Sequence, residues 1–366
     1  MSIAKDVFFT PDIYINYGTN LPDITYEIMK AADISDKLNP GMTVGIKPNL
    51  VVSRPAEGGA TTHPEIVEGI IRYVQDAGVR NIVILEGSWV GDSTQHAFKN
   101  CGYTALAEKY GVKLIDTKRD KAVTRTCKGL SLSVCESALN VDFLINVPVL
   151  KGHCQTGMTC CLKNLKGCIP DSEKRRFHSL GLHKPIAALN TVLRPSLHIV
   201  DSVCGDLSFE EGGNPVEANR VMLGFDPVLL DSYGAQLIGY QPDEIDYLRL
   251  AKEYGVGRYA GPDTEMMELN AQNRPKTGGH NNIGARKFSP YIDADSACSA
   301  CYAALIFALH KTGPVRGERI KIGQGFQGKT CTGIGVGNCT AGCERYVKGC
   351  PPKASDIVAM IENINH

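Results

Sequence analysis

The sequence predicts an α/β protein, a mainly parallel sheet domain followed by a small cysteine-rich module. Three observations carry this reading. Strand-like and helix-like segments alternate from residue 42 to residue 147, as expected for parallel strands joined by helical crossovers. Of the 366 residues 43% are hydrophobic, enough for a large core or two adjoining ones. Six of the fourteen cysteines fall between residues 298 and 350, a crowding that core packing does not explain.

Taken in order, Thr43 to Pro48 is a short apolar strand, and His63 to Val74 has apolar residues at helical spacing with Pro64 near the first turn. Asn81 to Glu86 is the next strand, and a helix over 94–110 stops at Gly111 before the strand Val112 to Asp116. Phe143 to Val147 adds another strand, and Lys151 to Lys184 reads as one long functional loop. Pro185 to Leu193 is a helix, Leu197 to Asp201 a strand, Asp226 to Ile238 a strand-turn-helix passage, and Asp243 to Tyr254 a helix closed by Gly255. Residues 257–290 are rich in Gly, Asn and Pro and read as a linker or surface excursion. The expected organisation is therefore an α/β domain over 1–256, the linker over 257–290 and a cysteine-rich module over 291–366.

Composition narrows the function classes. Thirty-nine Lys and Arg balance thirty-nine Asp and Glu, so no global field gathers a polyanion, and nucleic acid is not an expected partner. The N-terminus lacks a basic stretch followed by an apolar one, and no run approaches the roughly 20 apolar residues of a bilayer span, which predicts a cytoplasmic protein with no membrane partner. In a reducing cytosol fourteen cysteines point to metal or redox use rather than to disulfides. Cys101, Cys127, Cys135 and Cys204 are isolated in sequence and read as packing residues.

The cysteine constellation is the sharpest signal. Cys298-Ser299-Ala300-Cys301 aims two thiolates at one centre, Gly337-Asn338-Cys339 offers a third, and Gly349-Cys350-Pro351-Pro352 a fourth. Four thiolates can hold a 4Fe-4S cluster. A zinc ribbon would show a second CxxC, which is absent. Cys331 and Cys343 remain as spare thiols able to replace a chosen ligand. Gly323 to Gly328 nominally fits GxGxxG, but no βαβ unit with a suitably spaced acidic residue follows. Those glycines are expected instead to let backbone amides approach cluster sulfides. The series CxxC, GxC, GCPP resembles the ligand pattern of the proximal cluster in nickel-iron hydrogenase small subunits and their relatives in respiratory complex I.

Polar chemistry also gathers behind the strand Phe143 to Val147: Lys151, His153, Cys154, Cys160, Cys161, Lys163, Lys166, Cys168, Arg175, Arg176 and His178. Loops at the carboxyl ends of strands form the ligand crevice of an open α/β sheet. His153, Lys163 and His178 are the catalytic candidates; Lys151, Lys166 and Glu210 are the ligand-binding ones. Adjacent Cys160 and Cys161 should point apart, so no single centre is expected for all four thiols of this segment. Asp201, Asp206, Glu210 and Glu211 could place a carboxylate in the crevice. With Lys47-Pro48-Asn49-Leu50, Thr62-His63-Pro64-Glu65 and Glu210-Glu211-Gly212-Gly213, the segment resembles the family called domain of unknown function 362. That resemblance implies an α/β fold often joined to an iron-sulfur module. The order of His153, Lys163 and His178 is also similar to lactate racemase and its relatives, which implies residues facing a nickel-pincer nucleotide.

These readings converge on an iron-sulfur oxidoreductase whose cluster relays electrons to a ligand in the crevice, with a redox partner protein and a small-molecule substrate as partners. A non-catalytic electron carrier and a zinc-stabilised binding protein are the alternatives.

Overall fold

The computed structural model describes residues 10–207, 209–275, 286–297 and 299–365. The main sheet has eight strands, in the order Met266–Leu269, Ile13–Tyr17, Pro215–Gly224, Leu197–Asp206, Phe143–Val147, Thr43–Pro48, Asn81–Glu86, Lys113–Asp116. The five from Leu197–Asp206 to Lys113–Asp116 are parallel, whereas Pro215–Gly224 is antiparallel to both of its neighbours.

Alternation along each strand feeds two cores, one on each face. Val83, Leu85 and Leu144 join one apolar cluster, while Ile82, Ile84, Phe143, Ile145 and Val147 join the other. Because both faces are covered, the parallel strands read as continuous apolar runs. Helices Leu21–Ala31 and Pro64–Asp76 cover one face, and helices His183–Val192, Pro227–Leu237 and Asp246–Glu253 the other.

The C-terminal module is a four-stranded parallel sheet, Ile292–Ala294, Ile320–Ile322, Cys331–Val336 and Cys343–Val347. Helices Ser299–Thr312 and Ala354–Asn365 pack against each other beside it. Its core has its own apolar cluster, against which Cys154 and Phe209 of the larger domain also pack. Among the described residues no helix is long and apolar enough to cross a membrane.

Several local expectations differ from the structure. Residues 257–290 contribute the edge strand Met266–Leu269, parallel to Ile13–Tyr17. Its residues are largely exposed, so it lacks the alternation that marks a strand in sequence. The 151–184 segment is not one loop but a tiny hairpin, Lys151–His153 with Gly157–Thr159, followed by short helices and the helix Asp171–Ser179; elements this short fall below the length at which periodicity shows. The helix expected over 94–110 is two helices, Thr94–Asn100 and Tyr103–Tyr110. Cys331 and Cys343 are joined in a disulfide across adjacent strands, so they are not spare ligands, and the disulfide-free expectation fails at this pair. In the GxGxxG segment, a Cβ at Gly323 or Gly325 would collide with Asp295. At these two glycines the missing side chain makes room for the Asp295 turn.

Asp226 ties the excursion to the main domain. One carboxylate oxygen caps helix Pro227–Leu237 by accepting from Val228 N and Leu229 N at 2.8 and 3.0 Å, and the other accepts from Arg258 N at 2.9 Å. Asp226→Ala should lower the unfolding free energy by about 0.5–2 kcal/mol, measured as a shifted urea midpoint at unchanged slope.

Candidate functional site

The site begins at the carboxyl ends of two neighbouring parallel strands. Lys47 and Glu86, both buried, form an ion pair at 2.8 Å. Lys47 Nζ also donates to Pro48 O at 2.7 Å and Asn164 Oδ1 at 3.1 Å, while Glu86 accepts from Leu50 N and Gly87 N at 2.8 and 2.7 Å. A buried pair is tolerated when its remaining donors and lone pairs are satisfied in this way. Asn164 Nδ2 continues the network to Asn146 Oδ1 at 2.8 Å.

Glu210 is the second focus. Its carboxylate takes His153 Nε2 at 3.0 Å on one oxygen and Lys163 Nζ on the other. His153 Nδ1 accepts from Gln155 N and Thr156 N, both at 3.1 Å, which assigns its proton to Nε2. Burial, then the Lys163 charge, pushes His153 down to about 4, so the ring is neutral. Burial alone would raise the Glu210 carboxyl, but Lys163 and His153 outweigh it and hold it well below its ordinary value. Lys151 stands behind this group, donating to Ala60 O at 2.5 Å and Glu210 O at 2.9 Å, and burial lowers it to about 8. Asp206 shapes the same loop by accepting from Phe209 N and Asn214 N, both at 2.9 Å.

Beside these groups lies an inner cavity of about 110 Å³, lined by Lys47, Glu86, Thr159, Lys163, Lys166, Lys174, His178, Glu210, Glu211 and Trp89 among others. Lys174 is engaged with Gly87 O, Ser88 O and Asp171. Trp89, 49% exposed, also borders an outer cavity of about 600 Å³, together with Val52, Glu211, Phe209, Ala303, Phe307 and Pro351. Lys163, Lys166, His178 and Glu210 thus face one space, whereas His153 reaches it through Glu210 and Lys151 does not line it. With both ring nitrogens engaged, His153 offers no lone pair to a metal, whereas His178 Nδ1 is unbonded and His178 lines the cavity beside Lys163. Sequence reasoning did not single out Glu86, Trp89, Thr159 or Lys174; a carboxylate closing an apolar strand at Glu86 was the readable signal.

Among the cluster cysteines, Cys298 lies outside the described residues. Of the other three, Cys301 lies near the start of helix Ser299–Thr312, Cys339 in the short helical turn Asn338–Thr340, and Cys350 in the loop after strand Cys343–Val347. Asn338 N donates to Gly349 O at 2.9 Å and Gly349 N to Asn338 Oδ1 at 2.8 Å, clipping the Cys339 and Cys350 turns together. A Cβ on Gly337, which has φ +95°, would lie 3.5 Å from Cys301 Sγ.

Residues 44–236, just over half of the chain, match the family described as Domain of unknown function (DUF362). The chain belongs to that family. A thylakoid-associated protein of Synechocystis sp. is 24% identical to this DUF362 protein over 230 residues, 60% of this chain and 70% of that one. Two solved structures are similar at low overlap. The lactate racemase apoprotein of Thermoanaerobacterium thermosaccharolyticum has a TM-score of 0.40 and 16% identity, covering 62% of this chain and 56% of its own. A Thermotoga maritima protein has a TM-score of 0.38 and 11% identity, covering 65% and 59%. The chain therefore spans less than two thirds of either solved chain.

Elsewhere in this DUF362 protein, Asp201 is drawn away from the crevice, accepting from His63 N and pairing with His63 Nδ1, both at 2.8 Å. Cys160 and Cys161 do not diverge fully: their sulfurs are 3.9 Å apart and group with Asp231. Asp231 also accepts from Cys161 N and Leu162 N, and burial raises its carboxyl to about 7. Cys168 is buried in the core cluster, and Cys154 packs against the module.

The neutral histidines set an acid limit on stability. His178 is pushed down to about 3, first by burial and then by Lys166, and His153 lies near 4. Below the unfolded value of about 6.5 the unfolded chain takes up protons that the fold refuses, so stability falls as pH drops. His63 behaves oppositely: burial would lower it, but Asp201 raises it to about 11, so it stays charged across this window. From pH 7 to pH 5 the loss should reach up to about 2 kcal/mol per neutral histidine, and His178→Asn should flatten the slope of urea midpoint against pH.

Proposed function

We propose that the protein is an iron-sulfur oxidoreductase acting on a ligand held in the α/β crevice, with Cys298, Cys301, Cys339 and Cys350 holding a 4Fe-4S cluster. The observation that carries this reading is the seating of the cysteine module on the mouth of the crevice. Ala303, Phe307 and Pro351, neighbours of Cys301 and Cys350, wall the outer cavity, and Val52, Trp89 and Glu211 are shared between the outer and inner cavities.

The donor set fits such a group. Thiolates are the usual ligands of iron-sulfur clusters, and the order CxxC, GxC, GCPP resembles the proximal-cluster pattern of hydrogenase small subunits. Among the described residues, the trio close enough to share one ion is Cys160, Cys161 and Asp231. A bound cluster supplies one-electron transfer.

The chain's own residues would manage charge and protons. Glu210, ionised and shared by Lys163 and His153, would hold the Lys163 side chain in place against a ligand, and His153 Nε2–H fixes the carboxylate's orientation. Phe209, adjacent in sequence, packs into the module core, so one loop joins the two parts. A reducing compartment such as the cytoplasm keeps the ligand thiols available, and a redox partner protein would deliver electrons to the module.

Protein purified without oxygen should carry about four irons and four sulfides per chain, with a brown colour bleached by reductant. Cys339→Ser and Cys350→Ser should each remove most of the iron while far-ultraviolet dichroism stays unchanged. Zinc without sulfide, or full iron content in both variants, would overturn the proposal.

A further inference from the structure

We propose that the inner cavity is an oxyanion site that takes the carboxylate or phosphoryl head of a small molecule, with Lys166, His178 and Thr159 as its recognising groups. As the class of the crevice ligand it rests on the function proposed above; as a binding site it stands on the cavity alone.

Three polar groups face the cavity without partners among the described residues. Thr159, 1% exposed, has an Oγ1 with no hydrogen bond, and His178 Nδ1 is likewise buried and unbonded. Lys166 lines the same space and forms no hydrogen bond or ion pair there. Buried donors are ordinarily paired, because an unmade bond leaves the full desolvation cost. Two buried orphans, Thr159 Oγ1 and His178 Nδ1, and the partly buried, unpaired Lys166 around one cavity therefore point to a polar ligand that supplies their partners.

The charges around the cavity favour an anion. Lys47 is matched by Glu86 and Lys163 by Glu210, and Lys174 by Asp171 and two carbonyls. Lys166 has no such counter-charge. Burial and the nearby Lys163 lower it to about 7, a cost that a bound anion would offset. Glu211, the remaining carboxyl of the lining, is itself raised by burial and by Glu210, which reduces its competition for Lys166.

Size narrows the class. At about 110 Å³ the space is smaller than the roughly 150 Å³ engineered cavity that holds benzene. It suits a head group of a few heavy atoms, with any remaining body lying past Trp89 in the outer cavity.

The test is calorimetric titration of the iron-loaded protein with inorganic phosphate, sulfate and acetate at an ionic strength held constant with chloride. Fluorescence of Trp89, the single tryptophan of the chain, gives a second readout. At least one probe should bind saturably; phosphate and sulfate against acetate separates a phosphoryl from a carboxylate head. Lys166→Met should weaken binding at least tenfold and Thr159→Val severalfold. Lys166→Met should also raise the melting temperature of the ligand-free protein, because it removes an uncompensated charge, an effect opposite to that of a structural lysine. No saturable binding by any probe, or unchanged affinity in Lys166→Met, would overturn the proposal. Binding is read independently of iron: absent iron with intact binding would sink only the oxidoreductase reading, and absent binding in iron-loaded protein only this one.

Discussion

The buried Lys47–Glu86 pair at 2.8 Å is the constraint on which the site depends. Two charges removed from water are stable only if their attraction and their remaining hydrogen bonds offset desolvation. Backbone groups of Pro48, Leu50 and Gly87 and the Asn164 side chain complete that set. The pair therefore binds the ends of two parallel strands to the segment carrying Lys163 and Lys166. Removing either partner alone would leave the other charge stranded in the same low-dielectric space.

A second constraint is the loop from Asp206 to Asn214. Asp206 closes it through two backbone amides, and Lys151 holds the Glu210 carbonyl from behind. Consecutive residues then serve opposite sides, with Phe209 packing into the C-terminal core and Glu210 facing His153 and Lys163. The module core and the Glu210 carboxylate are thus contacted by adjacent residues of one loop. The crevice and the C-terminal module thus share this loop as well as a cavity wall.

The polar inventory follows one physical pattern. Lys47, Lys163 and Lys174 are each matched by carboxylates, while Lys166, His178 Nδ1 and Thr159 Oγ1 are left facing the cavity. The matched groups build the frame, and the unmatched ones are available to whatever enters it. His153, with both nitrogens engaged, belongs to the frame.

Sequence alone determined the α/β class and the five parallel strands of the main sheet, because strands buried on both faces, such as Asn81–Glu86 and Phe143–Val147, carry continuous apolar runs. It also pointed to Lys163, Lys166 and His178 behind a strand end, and to Glu210 in an acidic stretch, and the structure brings these four to one cavity. Tertiary structure decided what spacing along the chain does not encode. Glu86 and Lys47 lie 39 residues apart and meet through strand adjacency, and exposed Met266–Leu269 is a strand because Ile13–Tyr17 offers it an edge. Cys331 and Cys343 pair because their strands lie in register. Packing between distant segments also divided the lysines into partnered and unpartnered ones, because a buried charge is satisfied by whatever the fold brings beside it.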